Sequence, residues 1–252
     1  MASLSVVLAT YNEEKNLPMC LDSVKDIADE IVIVDGTSQD RTVEIAKSYD
    51  AKVLVTENLP NFHINKQKAI DMATKDWILQ MDADEKVSHE LAREIKEKIN
   101  EKENKFNGYW LPRKNWFLGR FLMKGGQYPD YTLRLYRKGK GHLPQKDVHE
   151  QAVVEGEVGY TKEALLHYPY KDFAFYLSKW KRYVIFNAGQ VKAEHRLYNP
   201  VFALKQLVIL PIYWFLLTFI RHKGFMDSWQ GFVFSFFSAL RYPAAYIAAL
   251  TK

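Results

Sequence analysis

Two aspartates that follow an apolar run are the sharpest chemical signal in the sequence. Residues 77–81 (WILQM) have the length and composition of a buried strand, and Asp82, Ala83 and Asp84 come directly after them. Carboxylate oxygens are the ligands that hard divalent cations prefer, and such a cation can offset the charge of a diphosphate leaving group. An acidic pair can also be a solvated turn that caps a helix. The position at a strand end favours the cation site.

Asp35 follows a second apolar run, residues 31–34, in the same way. A carboxylate at that position can accept hydrogen bonds from the N–H of a nucleobase or from ribose hydroxyls. It can also be a turn or helix-capping residue ahead of Thr37 and Ser38. Two acidic sites, each at the end of an apolar run, indicate a nucleotide site more specifically than either one alone.

These positions belong to a regular alternation of elements in the first hundred residues. Apolar runs of strand length occupy 4–9, 31–34, 52–55 and 77–81, and helical patterns occupy 14–26, 40–49, 64–74 and 88–102. This alternation predicts an α/β fold with a mostly parallel sheet and helices on both faces. Ligands bind such sheets beyond the carboxyl ends of the strands, so we expect the carboxylates at one edge. The first run is not followed by the spaced glycines of a nicotinamide- or flavin-binding loop.

Three of these segments resemble family 2 glycosyltransferases, whose Rossmann-like fold is called GT-A. They are residues 8–13 (LATYNE), 34–42 (VDGTSQDRT) and 77–85 (WILQMDADE). Within that family the sequence is most similar to the branch that contains lipopolysaccharide core β-1,4-glucosyltransferases. The resemblance covers nearly the whole chain and extends to residues 128–137 (YPDYTLRLYR), 148–150 (VHE) and 223–231 (KGFMDSWQG).

The resemblance implies a role for each matching residue on the donor side. It implies a nucleotide pocket lined by Thr10, Tyr11, Glu13 and Asp35. It also implies that Asp82 and Asp84 hold the diphosphate and a divalent metal, Mg²⁺ or Mn²⁺. Lys66 stands at a phosphate-binding position where relatives often carry arginine. A lysine keeps the positive charge there but loses the bidentate hydrogen-bond geometry of a guanidinium. Arg134 either faces a phosphate group or belongs to a solvated basic face.

On the acceptor side, an inverting transfer needs a base that deprotonates the acceptor hydroxyl as it attacks. Asp130 occupies the place where the GT-A fold usually carries its acceptor-side carboxylate, and Glu150 is the second candidate for the base. Asp130 could equally be part of a Pro-Asp turn. By resemblance to some GT-A enzymes, His149 is a candidate third metal ligand, although a lone histidine is often structural.

The last third of the chain predicts an attachment to the membrane. Apolar stretches at 201–220 and 231–250 are each about long enough to cross a bilayer, and Arg221 and Lys223 lie between them. Charged residues and prolines interrupt both stretches, namely Lys205, Pro211, Arg241 and Pro243. We therefore expect these helices to lie in the membrane interface without spanning it, although a core or a dimer interface is the alternative. The predicted domains are 1–170, catalytic, and 171–252, helical and membrane-associating.

Net charge and cysteine content limit the classes of function and the cellular compartments that fit this sequence. The formal net charge is +5, no nucleic-acid-binding motif is recognised, and the single Cys20 allows no internal disulfide, which fits a reducing compartment. The opening residues form a short strand pattern and not a signal peptide.

We predict that the enzyme transfers a hexose, glucose from UDP-glucose, to a membrane-borne glycan such as lipopolysaccharide inner core at the cytoplasmic face. A polyprenyl-linked acceptor, a nucleotidyltransferase, a non-catalytic sugar-nucleotide-binding protein and a homo-oligomer stay open.

Overall fold

The computed structural model describes residues 1–145, 151–194 and 197–251. The chain divides into two compact units: unit 1 comprises Met1–Arg113 and Asp130–His167, and unit 2 comprises Lys114–Pro129 and Tyr168–Lys252. Residues 114–129, expected in the first domain, therefore group with the C-terminal helices. The division into a catalytic and a membrane-associating domain at residue 170 stays a prediction.

Unit 1 begins with the expected alternation of strands and helices. Its early elements are β1 (Leu4–Thr10), α1 (Leu17–Val24), β2 (Glu30–Asp35), α2 (Thr42–Ser48), β3 (Lys52–Val55), α3 (Phe62–Met72), β4 (Trp77–Met81), β5 (Glu85–Val87) and α4 (His89–Asn100). Later strands are β6 (Gly108–Phe117), β7 (Arg120–Leu122, in unit 2), β8 (Asp130–Arg137), β9 (Gly141–His142), β10 (Val153–Val154), β11 (Val158–Tyr160) and β12 (Leu165–His167).

The main sheet has the strand order β3-β2-β1-β4-β8-β6-β12-β5. The first four strands are parallel, and β8 then joins β4 in the antiparallel direction. The predicted α/β fold is confirmed, with a mixed sheet whose parallel part ends at β4. The register pairs Thr10 with Asp35 and Leu8 with Met81. The carboxyl ends of β1, β2 and β4 therefore meet at one edge of the sheet.

Alternating side chains of β1 explain why helices cover both faces of this sheet. Val6 and Leu8 belong to one apolar cluster together with Leu21 of α1. Val7, which points to the opposite face, belongs to a second cluster together with Ile70 of α3. Because both faces of β1, β2 and β4 are buried, these strands are largely apolar, and polar residues end or follow them.

The buried carboxylate of Glu30 ties β2 to its neighbours. It accepts hydrogen bonds from the hydroxyl of Ser5, the ammonium of Lys52, and the N–H and hydroxyl of Thr74. Burial by itself would raise the pKa of Glu30, but these bonds outweigh burial and lower the pKa to about 2. Glu30 therefore stabilises the fold in its ionised form.

Unit 2 contains helices α5 (Phe173–Ala193), α6 (Pro200–Leu204), α7 (Leu210–Phe215) and α8 (Ser228–Leu250). π-Helical turns at Lys205–Ile209 and Leu216–Arg221 make Pro200–Arg221 one helical run, and a 3₁₀ turn at Gly224–Asp227 leads into α8. Both runs are long and apolar enough to cross a membrane by length and composition, and only 11% and 28% of their apolar windows are buried. Neither Pro211 nor Pro243 ends its helix. The wider π-helical turn before Pro211 accommodates the proline ring and its missing N–H.

Candidate active site

A cavity of about 370 Å³ opens in unit 1 where β1 and β4 end. Six of the residues predicted from the sequence line it: Thr10, Tyr11, Glu13, Lys66, Asp82 and Asp84. Ala9, Asn58, Phe62, Asn65, Ala83 and His167 complete the lining. The structure thus brings together the predicted donor-side residues at the expected edge of the sheet, and their individual roles stay predictions.

Asp35 lies at the same edge but is fully buried and does not line the cavity. Its carboxylate accepts hydrogen bonds from the hydroxyl of Thr10 (2.9 Å) and from the backbone N–H and hydroxyl of Ser38 (2.7 and 2.6 Å). These bonds fix Thr10 at the cavity wall and hold the turn after β2. Direct contact between Asp35 and a nucleotide stays a prediction.

Asp82 forms ion pairs with two buried cations. Its two carboxylate oxygens pair with the ammonium of Lys66 and, at 2.6 Å, with the guanidinium of Arg134. Burial of Asp82 favours the neutral form, but the charges of Arg134 and Lys66 outweigh burial and hold the pKa of Asp82 well below its usual range. Asp82 is therefore ionised, and it keeps the ammonium of Lys66 at the cavity wall, 4.8 Å from the ring centre of Phe62.

Glu85, to which the sequence analysis assigned no role, connects these charges to Asp130. Its fully buried carboxylate accepts hydrogen bonds from the backbone N–H of Asp82 (2.8 Å), from Arg134 (2.9 Å) and from Arg113 (3.3 Å). Arg113 in turn donates two bonds to Asp130, at 2.8 and 3.0 Å. Alternating charges therefore run without a break from Lys66 to Asp130.

Arg134 and Asp130 contribute to this chain of charges but do not line the cavity. Arg134 is only 7% exposed, so its interpretation as part of a solvated basic face is wrong. The reason is that Asp82 and Glu85 pair with its guanidinium and draw it into the protein interior. The neighbouring acids raise the pKa of Arg134, although burial opposes them, and the side chain stays charged.

Asp84 and His167 are the side chains that fit a divalent cation. His167 ends β12, whose register places it opposite Glu85, and its Nε2 lies 3.4 Å from a carboxylate oxygen of Asp84. Oxygen and imidazole nitrogen are donors that Mn²⁺ and similar cations accept. No cluster of three or more His, Cys, Asp or Glu side chains with such geometry occurs in the described part of the chain. A diphosphate and water would supply the remaining ligands. His149 and Glu150 lie outside the described residues.

Cys20 lies next to the acidic segment 82–85 and is fully buried, with its sulfur 3.6 Å from the carbonyl oxygen of Asp82. Burial and the charges of Glu85, Asp82 and Asp84 raise the pKa of the Cys20 thiol well above its usual value. A neutral, buried thiol is a poor nucleophile, so covalent catalysis by Cys20 does not fit this site.

Sequence reasoning missed three of these side chains for different reasons. His167 follows the apolar pair Leu165 and Leu166, so the same strand-end rule that found the aspartates could have found it. Glu85 comes directly after Asp84 but was given no partner. Arg113 carries no local signal, because only the pairing of β6 with β8 brings it to Asp130.

Comparisons with known proteins identify the family of this chain. A family model described as glycosyl transferase family 2 matches residues 5–153. The lipopolysaccharide core biosynthesis glycosyltransferase LpsC of Rhizobium meliloti is 30% identical over 94% of this chain and 91% of its own. An uncharacterized glycosyltransferase of Rickettsia typhi is 27% identical over 92% of this chain and 82% of its own.

Among solved structures, the crystal structure of residues 1–349 of S. aureus TarS superposes with a TM-score of 0.50. The two sequences are 17% identical, and the match covers 98% of this chain and 83% of that one, which supports the fold alone. The family match and the similarity to LpsC establish the identity of the chain, which belongs to glycosyl transferase family 2.

Proposed function

We propose that this glycosyltransferase moves a hexose, glucose from UDP-glucose, to a membrane-borne glycan acceptor with inversion at the anomeric carbon. The observation that carries the proposal is the cavity where Lys66 faces the pair of Asp84 and His167 at the strand ends. The similarity to LpsC, a lipopolysaccharide core biosynthesis enzyme, supports an acceptor of the lipopolysaccharide inner-core type.

The cavity suits a nucleotide diphosphate in size and charge. Its volume of about 370 Å³ lies within the usual range of ligand pockets, roughly 300–1,000 Å³. The exposed rings of Tyr11 and Phe62 offer aromatic surface for a nucleobase or a sugar. The ammonium of Lys66 can bind the diphosphate. A divalent cation held by Asp84 and His167 would neutralise charge on the departing diphosphate.

Asp130 is the proposed base in this reaction. Its carboxylate accepts the proton of the acceptor hydroxyl while that oxygen forms a bond to the anomeric carbon. The bond between the anomeric carbon and the diphosphate oxygen breaks at the same time, and the nucleotide diphosphate leaves with the electron pair. Attack opposite the leaving group inverts the anomeric configuration. Lys66 binds the leaving diphosphate from the donor side.

We further propose that unit 2 attaches the enzyme to the cytoplasmic surface of the membrane, where a lipid-borne acceptor is accessible. The helical run Pro200–Arg221 of unit 2 carries exposed apolar side chains. Between 41% and 55% of the surface is exposed in Leu207, Val208, Ile212, Leu216 and Ile220. Arg221 at the end of that run and Lys223 just after it are exposed and can bind anionic headgroups. Apolar side chains beside basic ones are typical of helices that lie in the interface.

A donor screen tests the proposed activity. Purified full-length protein is titrated calorimetrically with UDP-, GDP- and CMP-sugars in MnCl₂, and the product formed on inner-core lipopolysaccharide is analysed by NMR. We expect UDP-glucose to bind with the lowest Kd and to give a β-linked product. Lys66→Gln should raise that Kd by about tenfold or more, since a charge-assisted hydrogen bond contributes about 1.5–3 kcal/mol.

Lys68→Gln is the matched control for this screen, because Lys68 lies on the same helix and bonds the hydroxyl of Thr56 outside the cavity lining. Its Kd should equal that of the wild type. Binding of none of the UDP-sugars, or an α-linked product, would contradict the proposal.

A further inference from the structure

Arg113 holds the carboxylate of Asp130 in a defined position. Its Nε and Nη2 atoms donate hydrogen bonds of 3.0 and 2.8 Å, and both end on the same oxygen, Oδ2. The two side chains are 20% and 36% exposed, so the pair lies at the border between the protein interior and solvent. Two bonds from one planar guanidinium restrict the rotation of a carboxylate more than one bond from a flexible ammonium does.

The other end of the Arg113 guanidinium is anchored in the interior. Its Nη1 lies 3.3 Å from Glu85, which is fully buried and also accepts bonds from Arg134 and from the backbone N–H of Asp82. Glu85 cannot follow a movement of Arg113 without breaking these bonds. Burial lowers the pKa of Arg113, but the charges of Glu85 and Asp130 outweigh burial and raise it, so Arg113 stays protonated.

The backbone places this pair where the chain leaves and re-enters unit 1. Arg113 of β6 and Asp130 of β8 are direct partners in the antiparallel register. Residues 114–129, which connect them, belong to unit 2. Asp130 is therefore the first residue of unit 1 after this excursion, and it begins β8.

We propose that Arg113 is a positioning residue for the transfer reaction: it fixes Asp130 relative to the acidic segment 82–85 before the acceptor binds. This inference rests on the proposed role of Asp130 as the base. A base is effective only within hydrogen-bond reach of the proton it accepts, and a misplacement of about 1 Å can lower a rate by about 10²-fold. Arg113 does not line the cavity, so it acts through Asp130 and not on the donor.

Two other roles for Arg113 make different predictions. A purely structural pair would lower the melting temperature without a selective effect on kcat. A phosphate-binding arginine would raise the Kd of the donor. Positioning of the base predicts a lower kcat with an unchanged Kd for UDP-glucose, and it predicts that Arg113 has no further effect once the carboxylate of Asp130 is removed.

The test is a double-mutant cycle on the full-length protein, with UDP-glucose as donor and inner-core lipopolysaccharide as acceptor. We expect Arg113→Gln to lower kcat by about 10- to 100-fold, and Arg113→Lys to recover part of the loss because it restores the charge. In the background of Asp130→Asn, Arg113→Gln should change kcat by less than about twofold. Arg41→Gln is the matched control, since Arg41 makes a similar two-bonded pair with Glu44 at the surface.

The outcomes separate the inference from the function on which it rests. A normal kcat in Asp130→Asn overturns the role of the base and the inference with it. A low kcat in Asp130→Asn together with a normal kcat in Arg113→Gln, or with losses that multiply in the double variant, overturns the positioning role alone. If Arg113→Gln does not fold, Arg113→Lys decides: a kcat equal to that of the wild type overturns the inference.

Discussion

Glu85→Gln removes one negative charge from between two arginines while nearly preserving the shape of the side chain. Glu85 is fully buried, and its carboxylate contacts both Arg113 and Arg134. The amide that replaces it can accept hydrogen bonds only at its single oxygen, and its NH₂ group would face a guanidinium or the backbone N–H of Asp82, which are donors as well. The substitution therefore leaves buried positive charge without its compensating partner.

The expected loss of stability follows from the contacts that remain. Breaking a buried ion pair by removing one partner costs about 3–5 kcal/mol. Arg134 keeps its bond to Asp82 and Arg113 keeps its bonds to Asp130, so the lower end of that range, about 3 kcal/mol, is expected. For a protein of this size, 1 kcal/mol corresponds to a shift of roughly 2–4 °C, so the melting temperature should fall by roughly 6–12 °C.

Thermal unfolding of the full-length protein in detergent micelles, followed by tryptophan fluorescence, measures this shift. Glu44→Gln is the matched control, because its pair with Arg41 is about two-thirds exposed on both sides and should contribute little to stability. If Glu85→Gln unfolds within about 2 °C of Glu44→Gln, the buried charges around Glu85 do not stabilise the fold to the expected extent.

Metal dependence, membrane attachment and acid stability give three further tests. Asp84→Asn should lower the transfer rate by roughly 10²-fold or more and flatten its dependence on Mn²⁺, because an amide oxygen is a weaker ligand for a hard cation. An unchanged Mn²⁺ titration would contradict the metal role. Ile212→Lys combined with Leu216→Lys should move protein from the membrane pellet to the supernatant, because burying each apolar side chain in the membrane contributes about 1.5–3 kcal/mol. Full retention in the pellet would refute membrane attachment through this helical run. The stability advantage of the wild type over Glu30→Gln, about 3 kcal/mol at neutral pH, should be complete above about pH 4.5 and shrink as the pH falls toward 2. A difference that stays constant down to pH 3 would show that Glu30 is not stabilised as an anion.

Each of these tests has a matched control on the surface of unit 1. Asp26→Asn changes an exposed aspartate that does not line the cavity. Leu54→Lys combined with Val55→Lys removes two exposed apolar side chains of β3 and should leave the protein in the membrane pellet. Glu157→Gln removes an exposed partner of Lys105, so the difference in stability between this variant and the wild type should be small and nearly independent of pH in the acidic range.

The sequence predicted those parts of the fold and site that depend on local patterns. A polar residue follows the apolar run of each parallel strand, so the edge with Thr10, Asp82 and Asp84 could be located from β1 and β4 alone. The same rule placed Asp35 at that edge, but it could not show that Thr10 and Ser38 donate hydrogen bonds to its carboxylate. Strand-end patterns locate a side chain along the sheet and do not reveal its hydrogen-bond partners.

The parts that the sequence did not predict depend on pairing between distant segments. The contact of Arg113 with Asp130 requires the antiparallel register of β6 and β8. The excursion 114–129 packs with the C-terminal helices because Phe117 and Leu122 share an apolar cluster with Tyr176 of α5. Register and long-range packing follow from side-chain complementarity over many residues, which periodicity in one sequence does not encode.

Asp82 and Asp84 have different surroundings, and this difference divides their roles. Asp82 is neutralised within the protein by Lys66 and Arg134, so a cation at Asp82 would have to displace an ammonium or a guanidinium. Asp84 instead faces the imidazole of His167 at the cavity wall. A diphosphate that binds Lys66 competes with Asp82 for the same ammonium, and Arg134 remains to compensate Asp82. The geometry therefore favours Asp84 as the metal ligand of the pair, with Asp82 holding Lys66 ready for the donor.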